Sequence, residues 1–383
     1  MNKIYINKKG NATLVMVMIP IGSYYEPNRI KGVSHFLEHF CFKGTKTRTR
    51  KDIDIAIEGV GGDINAYTSE ELTCYWAKVA NKHKDMAINV ITDLALNPIF
   101  PVKEIDKERE VIIQELKMYA DNPQSEVCEL FNKIYYPEIS GYHFPIVGTI
   151  DSLSHIGRKE LMQYHKLFYN NPTLIVIGEV KNKQDINQEN IDLTDNNIYK
   201  PKISKYIEKR KQEQANIIIG NDVYLPQYSQ TDKVLMLDLL SLIFNGMSGR
   251  LFEEVREKNN LVYRIKFYSE LWSGGMISWG VSLGLDQSKI SKARKLIEKE
   301  LTKPISKQEL ENTIIKTVGT HALEIEDLNT IAEMVVYGLR KDINWKELYY
   351  NYDKQIYKIA QELPNFLKSL NLQQNLMVGI VPK

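Results

Sequence analysis

The chain is poor in the features that assign a protein to a compartment or to a charged partner. It has only three cysteines, Cys41, Cys74 and Cys128. Their odd number and wide spacing exclude a disulfide framework. No apolar run is long enough for a membrane span: the stretch from Leu14 to Ile21 is broken by Pro20 and reads as a buried strand. The amino-terminal Met-Asn-Lys-Ile-Tyr-Ile-Asn has none of the basic, apolar and small-residue zones of a secretory signal. A cytoplasmic protein without a membrane partner is therefore expected. An excess of one charge is also missing, since 50 Lys and Arg face 48 Asp and Glu for a net charge of +2. That balance provides no electrostatic footprint for nucleic acid.

What is present is a globular composition, 43% hydrophobic and 26% charged, over 383 residues, which suits two domains. The pattern predicts a strand over 13–22, a polar loop at 23–29, and a helix capped by Ser34 that runs to about Phe42. A helix follows from Lys51 to Val60, stopped by the glycines at 59–62, then a hairpin over Asp63–Ala80 around Ser69-Glu70-Glu71. Helices are predicted at 84–96, 103–119, 125–135 and 158–168, before a buried strand at 174–178. Residues 181–205 turn to Asn, Asp, Gln and Lys and read as a linker. Beyond it come a strand at 215–220, helices at 232–244 and 247–258, strands over 266–285, helices at 289–302 and 307–323, and a closing strand at 376–381. Strands mixed with long helices in two halves of similar length make an α+β chain, with internal duplication a natural reading.

One segment carries chemistry. In His35-Phe36-Leu37-Glu38-His39 the two histidines lie four apart, so on a helix both imidazoles reach one ion. Two His and one carboxylate make a hydrolytic zinc site when a fourth position is left to water. Glu38 sits near the same face as a general base. The third ligand is expected from the helix at 103–119, where Glu104, Glu108 and Glu115 share a face and Glu110 points away. Spacing does not choose among those three.

Several segments together resemble one family, the pitrilysin-type or mitochondrial-processing-peptidase-like zinc metallopeptidases of family M16, whose inverted zinc motif is His-x-x-Glu-His. Gly32-Val33-Ser34-His35-Phe36-Leu37-Glu38-His39-Phe40-Cys41-Phe42-Lys43-Gly44-Thr45 is similar to the family's metal segment. Gly61 to Glu70, with Thr73 and Tyr75, is similar to its substrate-pairing strand, and Glu108-Arg109-Glu110 to Glu115 resembles the segment of the third ligand. Gly246 to Glu257 with Leu261-Val262-Tyr263 is similar to its Arg/Tyr segment, although Gly249 stands where the family has Ser.

The resemblance implies two homologous domains, 1–182 and 206–383, joined by a linker at 183–205, each a mostly antiparallel sheet packed with helices. It implies one zinc per chain on His35, His39 and Glu108, with Glu38 as base and Glu115 orienting a ligand from behind. A peptide would pair along Asn65, Ala66 and Tyr67. Arg256 and Tyr263 would stabilise the oxyanion, acting on a partner's metal in a homodimer that encloses a chamber. Leader or presequence-type peptides are the substrates that follow. The alternative is a non-catalytic subunit, or one half of a heterodimer.

Overall fold

The structure is a computed structural model and describes residues 1–181, 183–185 (backbone only), 199–201 and 203–383. The described chain forms two units. The first holds a six-stranded sheet of β1 (Asn2–Asn7), β2 (Ala12–Ile19), β3 (Asp63–Thr68), β4 (Thr73–Ala80), β5 (Thr173–Gly178) and β6 (Lys183–Asp185), in the order β3-β4-β2-β5-β1-β6. Only β1 and β5 run parallel; the other neighbours are antiparallel. Leu14, Val15, Met16 and Val17 of β2 have no exposure at all. A strand buried on both faces reads as an unbroken apolar run, which is why the sequence shows it so clearly. Four helices of this unit bear on the site: α1 (Val33–Cys41), α2 (Arg50–Glu58), α3 (Lys84–Leu96) and α4 (Val102–Ala120). Of these, α1 and α2 pack on β3, α3 packs on β2 and β4, and α4 crosses α1.

The second unit holds β7 (Lys205–Arg210), β8 (Ala215–Tyr224), β9 (Val262–Leu271), β10 (Met276–Leu285) and β11 (Leu376–Pro382), in the order β7-β11-β8-β10-β9. Here too one pair is parallel, β7 with β11. Taken from the other edge, this order repeats that of the first sheet strand for strand, β3-β4-β2-β5-β1 against β9-β10-β8-β11-β7. The expected duplication is visible in the topology.

Neither unit is a continuous piece of chain. The first comprises Met1–Asp121, the described residues from Glu138 to β6, and Asp327–Val336; the second comprises Asn122–Pro137, Tyr199 to Glu326, and Tyr337–Lys383. The expected boundaries at 182 and 206 are thus crossed twice. Helix α5 (Pro123–Tyr135) packs on β8 and β11. The Tyr135 hydroxyl donates to Asn221 Oδ1 at 2.8 Å, and the Tyr136 hydroxyl donates to the buried Asp222 carboxylate at 3.2 Å. In return, Glu333 accepts from the Tyr67 hydroxyl on β3 at 2.7 Å, and Asp327 accepts from Lys78 on β4 at 3.1 Å. A sequence pattern shows where a helix lies along the chain but not which sheet its apolar face covers.

Other differences are local. The segment expected as a helix over 247–258 includes a π-helix at Phe252–Glu257. Ser34 does not cap α1, because it lies inside the helix and Gly32 occupies the capping position. Strands β1 and β7, and the helices between Leu328 and Ser369, had no counterpart in the sequence reading. Most of the expected linker, 183–205, lies outside the described residues.

Candidate metal centre

Helix α1 has two faces of opposite character. Val33, Phe36, Leu37 and Phe40 have no exposure and fasten it to the core. The other stripe carries His35, Glu38 and His39. The two imidazoles lie one above the other, ring centroids 4.6 Å apart. Helix α4 crosses this stripe and buries Ile105, Glu108 and Ile112.

The two glutamates of α4 sit where the resemblance did not put them. Glu115 Oε2 is 3.7 Å from Nε2 of His35 and 3.7 Å from Nε2 of His39. These three residues each offer one donor atom, all within 4.8 Å of one another. Zinc bonds of about 2.0–2.1 Å in a tetrahedron need donors about 3.3 Å apart, and the two 3.7 Å separations from Glu115 come near that value. Glu108 instead takes the far nitrogen, with Oε1 2.8 Å from His39 Nδ1, while Lys43 pairs with its other oxygen. With Glu108 ionised, Nδ1–H of His39 is the donor in this bond, so when the ring is neutral its Nε2 lone pair faces His35 and Glu115. Glu115, and not the expected Glu108, is the glutamate grouped with the two Nε2 atoms. The two glutamates lie two turns apart on one face, which is why spacing left the choice open.

The protonation behaviour follows from these contacts. Burial, reinforced by His39, pushes His35 down to about 3, which keeps it neutral. Burial also opposes a charge on His39, but the Glu108 hydrogen bond and the carboxylates of Glu38, Glu108 and Glu115 outweigh it and leave its pKa raised. Burial raises Glu108 as well, yet hydrogen bonds from His39 and Lys43 prevail and hold it ionised below the usual range. Glu38, 8% exposed, is raised by burial, with the Thr68 hydroxyl pulling the other way. Thr68 Oγ1 donates to Glu38 Oε2 at 2.5 Å, and the Tyr119 hydroxyl donates to Glu115 Oε1 at 3.2 Å. The sequence reading missed Lys43, Thr68 and Tyr119 as neighbours of the site. Tyr119 follows Glu115 by four on α4, a spacing that does signal a shared helix face, whereas Lys43 lies in the turn just past α1.

Asn65, Ala66 and Tyr67 lie on β3, the outer strand of the first sheet, whose end carries Thr68 to Glu38. Arg256 and Tyr263 belong to the second unit. The Arg256 guanidinium is exposed on the π-helix and rests over the Phe252 ring at 4.9 Å. Tyr263 is 46% exposed and is the extra residue of a β-bulge: Arg264 pairs with Gly284 and Val262 with Leu285, leaving Tyr263 unpaired. Its ring lies over Gly284, where an added Cβ would come within 2.3 Å of it. Bulges and π-turns both re-aim side chains and recur at functional sites.

Two sequence profiles match the chain, Insulinase (Peptidase family M16) over residues 4–140 and Peptidase M16 inactive domain over residues 155–316. The uncharacterized zinc protease YmxG of Bacillus subtilis is 31% identical over 350 residues, covering 86% of this chain and 84% of that protein. The chain belongs to peptidase family M16. An uncharacterized zinc protease of Rickettsia felis is 32% identical over 319 residues, covering 79% of this M16 chain and 76% of its own. The crystal structure of a protease from Helicobacter pylori matches with a TM-score of 0.86 at 20% identity, covering 99% of this chain and 97% of that one. A peptidase M16 inactive domain from Pseudomonas fluorescens gives 0.83 at 14% identity, covering 100% and 96%. At those identities the likeness speaks for the M16 fold of two mixed sheets packed with helices. Among the described residues no helix is long and apolar enough to cross a membrane.

Proposed function

We propose that the chain is a zinc-dependent endopeptidase in which His35, His39 and Glu115 hold the ion. The observation that carries this reading is the convergence of two imidazole Nε2 atoms and one carboxylate oxygen beside a buried carboxyl, Glu38. The donor set of two nitrogens and one oxygen suits zinc, which when bound supplies Lewis acidity toward water and a peptide carbonyl. Glu38 takes the proton from the attacking water and passes it to the departing amine, a task its raised pKa favours. Thr68 holds one oxygen of Glu38, and Glu108 fixes the tautomer of His39. The peptide adds to the free edge of β3 along Asn65, Ala66 and Tyr67 through main-chain hydrogen bonds. Arg256 and Tyr263 offer a cation and a phenol to the developing oxyanion.

In this reading the active form is a homodimer enclosing a chamber, with Arg256 and Tyr263 acting on the metal site of the second copy. Substrates are peptides or unfolded segments, leader or presequence-type peptides among them. The match to an M16 inactive domain covers the half of the chain that holds none of the metal-site residues, so it does not favour a non-catalytic subunit.

The test is cleavage of an unstructured peptide with and without chelator, by wild type and by Glu38→Gln. The variant should keep its zinc and lose about 10²–10⁴-fold in rate. A variant that retains both zinc and full rate removes Glu38 from the mechanism. His35→Ala and Arg256→Ala chains, each inactive alone, should regain activity when mixed; no recovery rules out the shared site.

A further inference from the structure

Helix α1 begins without a cap of its own, since Gly32 has no side chain to offer. Its first turn is nevertheless satisfied from a distance. Glu26, 4% exposed, accepts from Gly32 N at 2.6 Å through Oε2 and from Ser34 N at 2.7 Å through Oε1. Ordinary cap side chains come from the residue next to the helix and satisfy one or two of its amides. Here a whole carboxylate, brought in from a preceding loop, spans two. The amino end that it spans is fixed in other ways too. Gly32 has φ +91°, and an added Cβ would stand 2.5 Å from Val147 O. The Ser34 and Tyr164 hydroxyls are 2.9 Å apart, and Ser152 Oγ donates to Lys31 O at 2.7 Å.

This end of α1 lies immediately before His35, the third residue of the helix. A helix amino terminus carries the equivalent of about half a positive charge, which opposes a divalent cation held one turn away. Burial strengthens that opposition, because little water screens it. A carboxylate on the same amides reverses its sign.

We propose that Glu26 is a positioning residue for the metal centre: it holds the first turn of α1 in register and cancels the positive helix end beside His35, raising affinity for a divalent cation. The proposal rests on the reading that His35, His39 and Glu115 bind zinc. Lys31, 2% exposed, reaches Ser23 O at 3.4 Å and lies over the Phe144 ring at 5.3 Å, keeping a positive charge in Glu26's surroundings. Burial pushes the Glu26 carboxyl up to about 7, although its amide donors and Lys31 act in the opposite direction, so its charge is fully in place above that pH, where the titration is run.

The experiment is a zinc titration of the full chain against a chromophoric chelator, with melting of the metal-free protein measured in parallel. Glu26→Gln keeps the shape, removes the charge and leaves one acceptor. Its zinc dissociation constant is expected to rise about 5- to 30-fold, the range that a helix-end charge supplies in partly buried settings. A metal-free protein that melts lower while its zinc constant stays within twofold of wild type overturns the proposal, because a purely structural cap would do that. Should Glu26→Gln not fold, Glu26→Asp carries the test: it keeps the charge but is too short to span both amides. Its constant should rise about two- to fivefold, and an unchanged constant overturns the proposal. A wild-type chain that binds zinc no better than His35→Ala brings down the metal-site reading itself, a separate result from either outcome at Glu26.

Discussion

The two units share a strand order but differ in what the helix after the second strand presents. In the first unit that helix is α1, whose polar stripe of His35, Glu38 and His39 faces the glutamates of α4. In the second unit it is Gln230–Phe244, whose Leu235, Met236, Leu239, Leu240, Ile243 and Phe244 are all buried. It also carries Asp238, which accepts from the Tyr352 hydroxyl at 2.8 Å, and the buried Lys233, which donates to Gly275 O at 2.9 Å. The facing helix, Lys307–Glu324, offers His321, stacked on the Tyr352 ring with centroids 3.7 Å apart. A carboxylate hydrogen-bonded to a phenol and a histidine stacked on that phenol's ring stand where the first unit has its two imidazoles and carboxylate. Among the described residues the same scaffold thus carries a cluster of candidate metal donors in one copy, while the other contributes Arg256 and Tyr263 from different elements.

That contrast breaks most sharply at the two glutamates of α4. Glu115→Gln should reduce zinc binding by more than the about 10–100-fold expected of Glu108→Gln, which only loosens the hold on His39. Equal losses in a zinc titration would mean that Glu108 also reaches the ion. In the unit without the metal group, Phe244→Ala should cost about 3–5 kcal/mol of folding stability in denaturant melts. The same variant should leave the zinc constant of the folded protein unchanged. A changed constant would show that the two copies are not energetically separate.

The smallest effect is a pH dependence in the second unit. Burial pushes the Asp222 carboxyl up to about 7, against hydrogen bonds from Ser278 and Tyr136, and one of its oxygens is buried with no partner among the described residues. The folded chain holds a proton there that the unfolded chain releases near the ordinary carboxylate range. The stabilisation is full below that range and is lost as pH rises through about 7. Relative to Asp222→Asn, the wild type should thus lose stability between pH 4 and 8, by an amount on the order of 1–3 kcal/mol. Parallel melting curves would expose the wrong sign.

Much of the first unit is legible in the sequence because its signals are local. His35 and His39 are one turn apart, and the β3–β4 hairpin turns within a few residues. The identity of the third donor is not local. Glu108 and Glu115 both face α1, and only the side-chain paths, one to Nδ1 and one to Nε2, separate their roles. Glu26 was invisible for a similar reason, since nothing in a loop glutamate announces that it will cap a helix whose own capping residue is glycine. The exchange of α5 and Asp327–Val336 between units escaped because amphipathic spacing is the same whichever sheet receives the helix.

That exchange bears on how the chain comes into being. Domains emerging from the ribosome ordinarily fold in turn, the amino-terminal one first. Here the unit that carries His35 and His39 is missing a piece until Asp327–Val336 has been made, after β7 to β10 of the other sheet have already been synthesised. Two fragments cut between the sheets would each carry away a helix segment belonging to the other. The unit that begins the chain is among its first parts to be synthesised and cannot be completed until most of the second has followed.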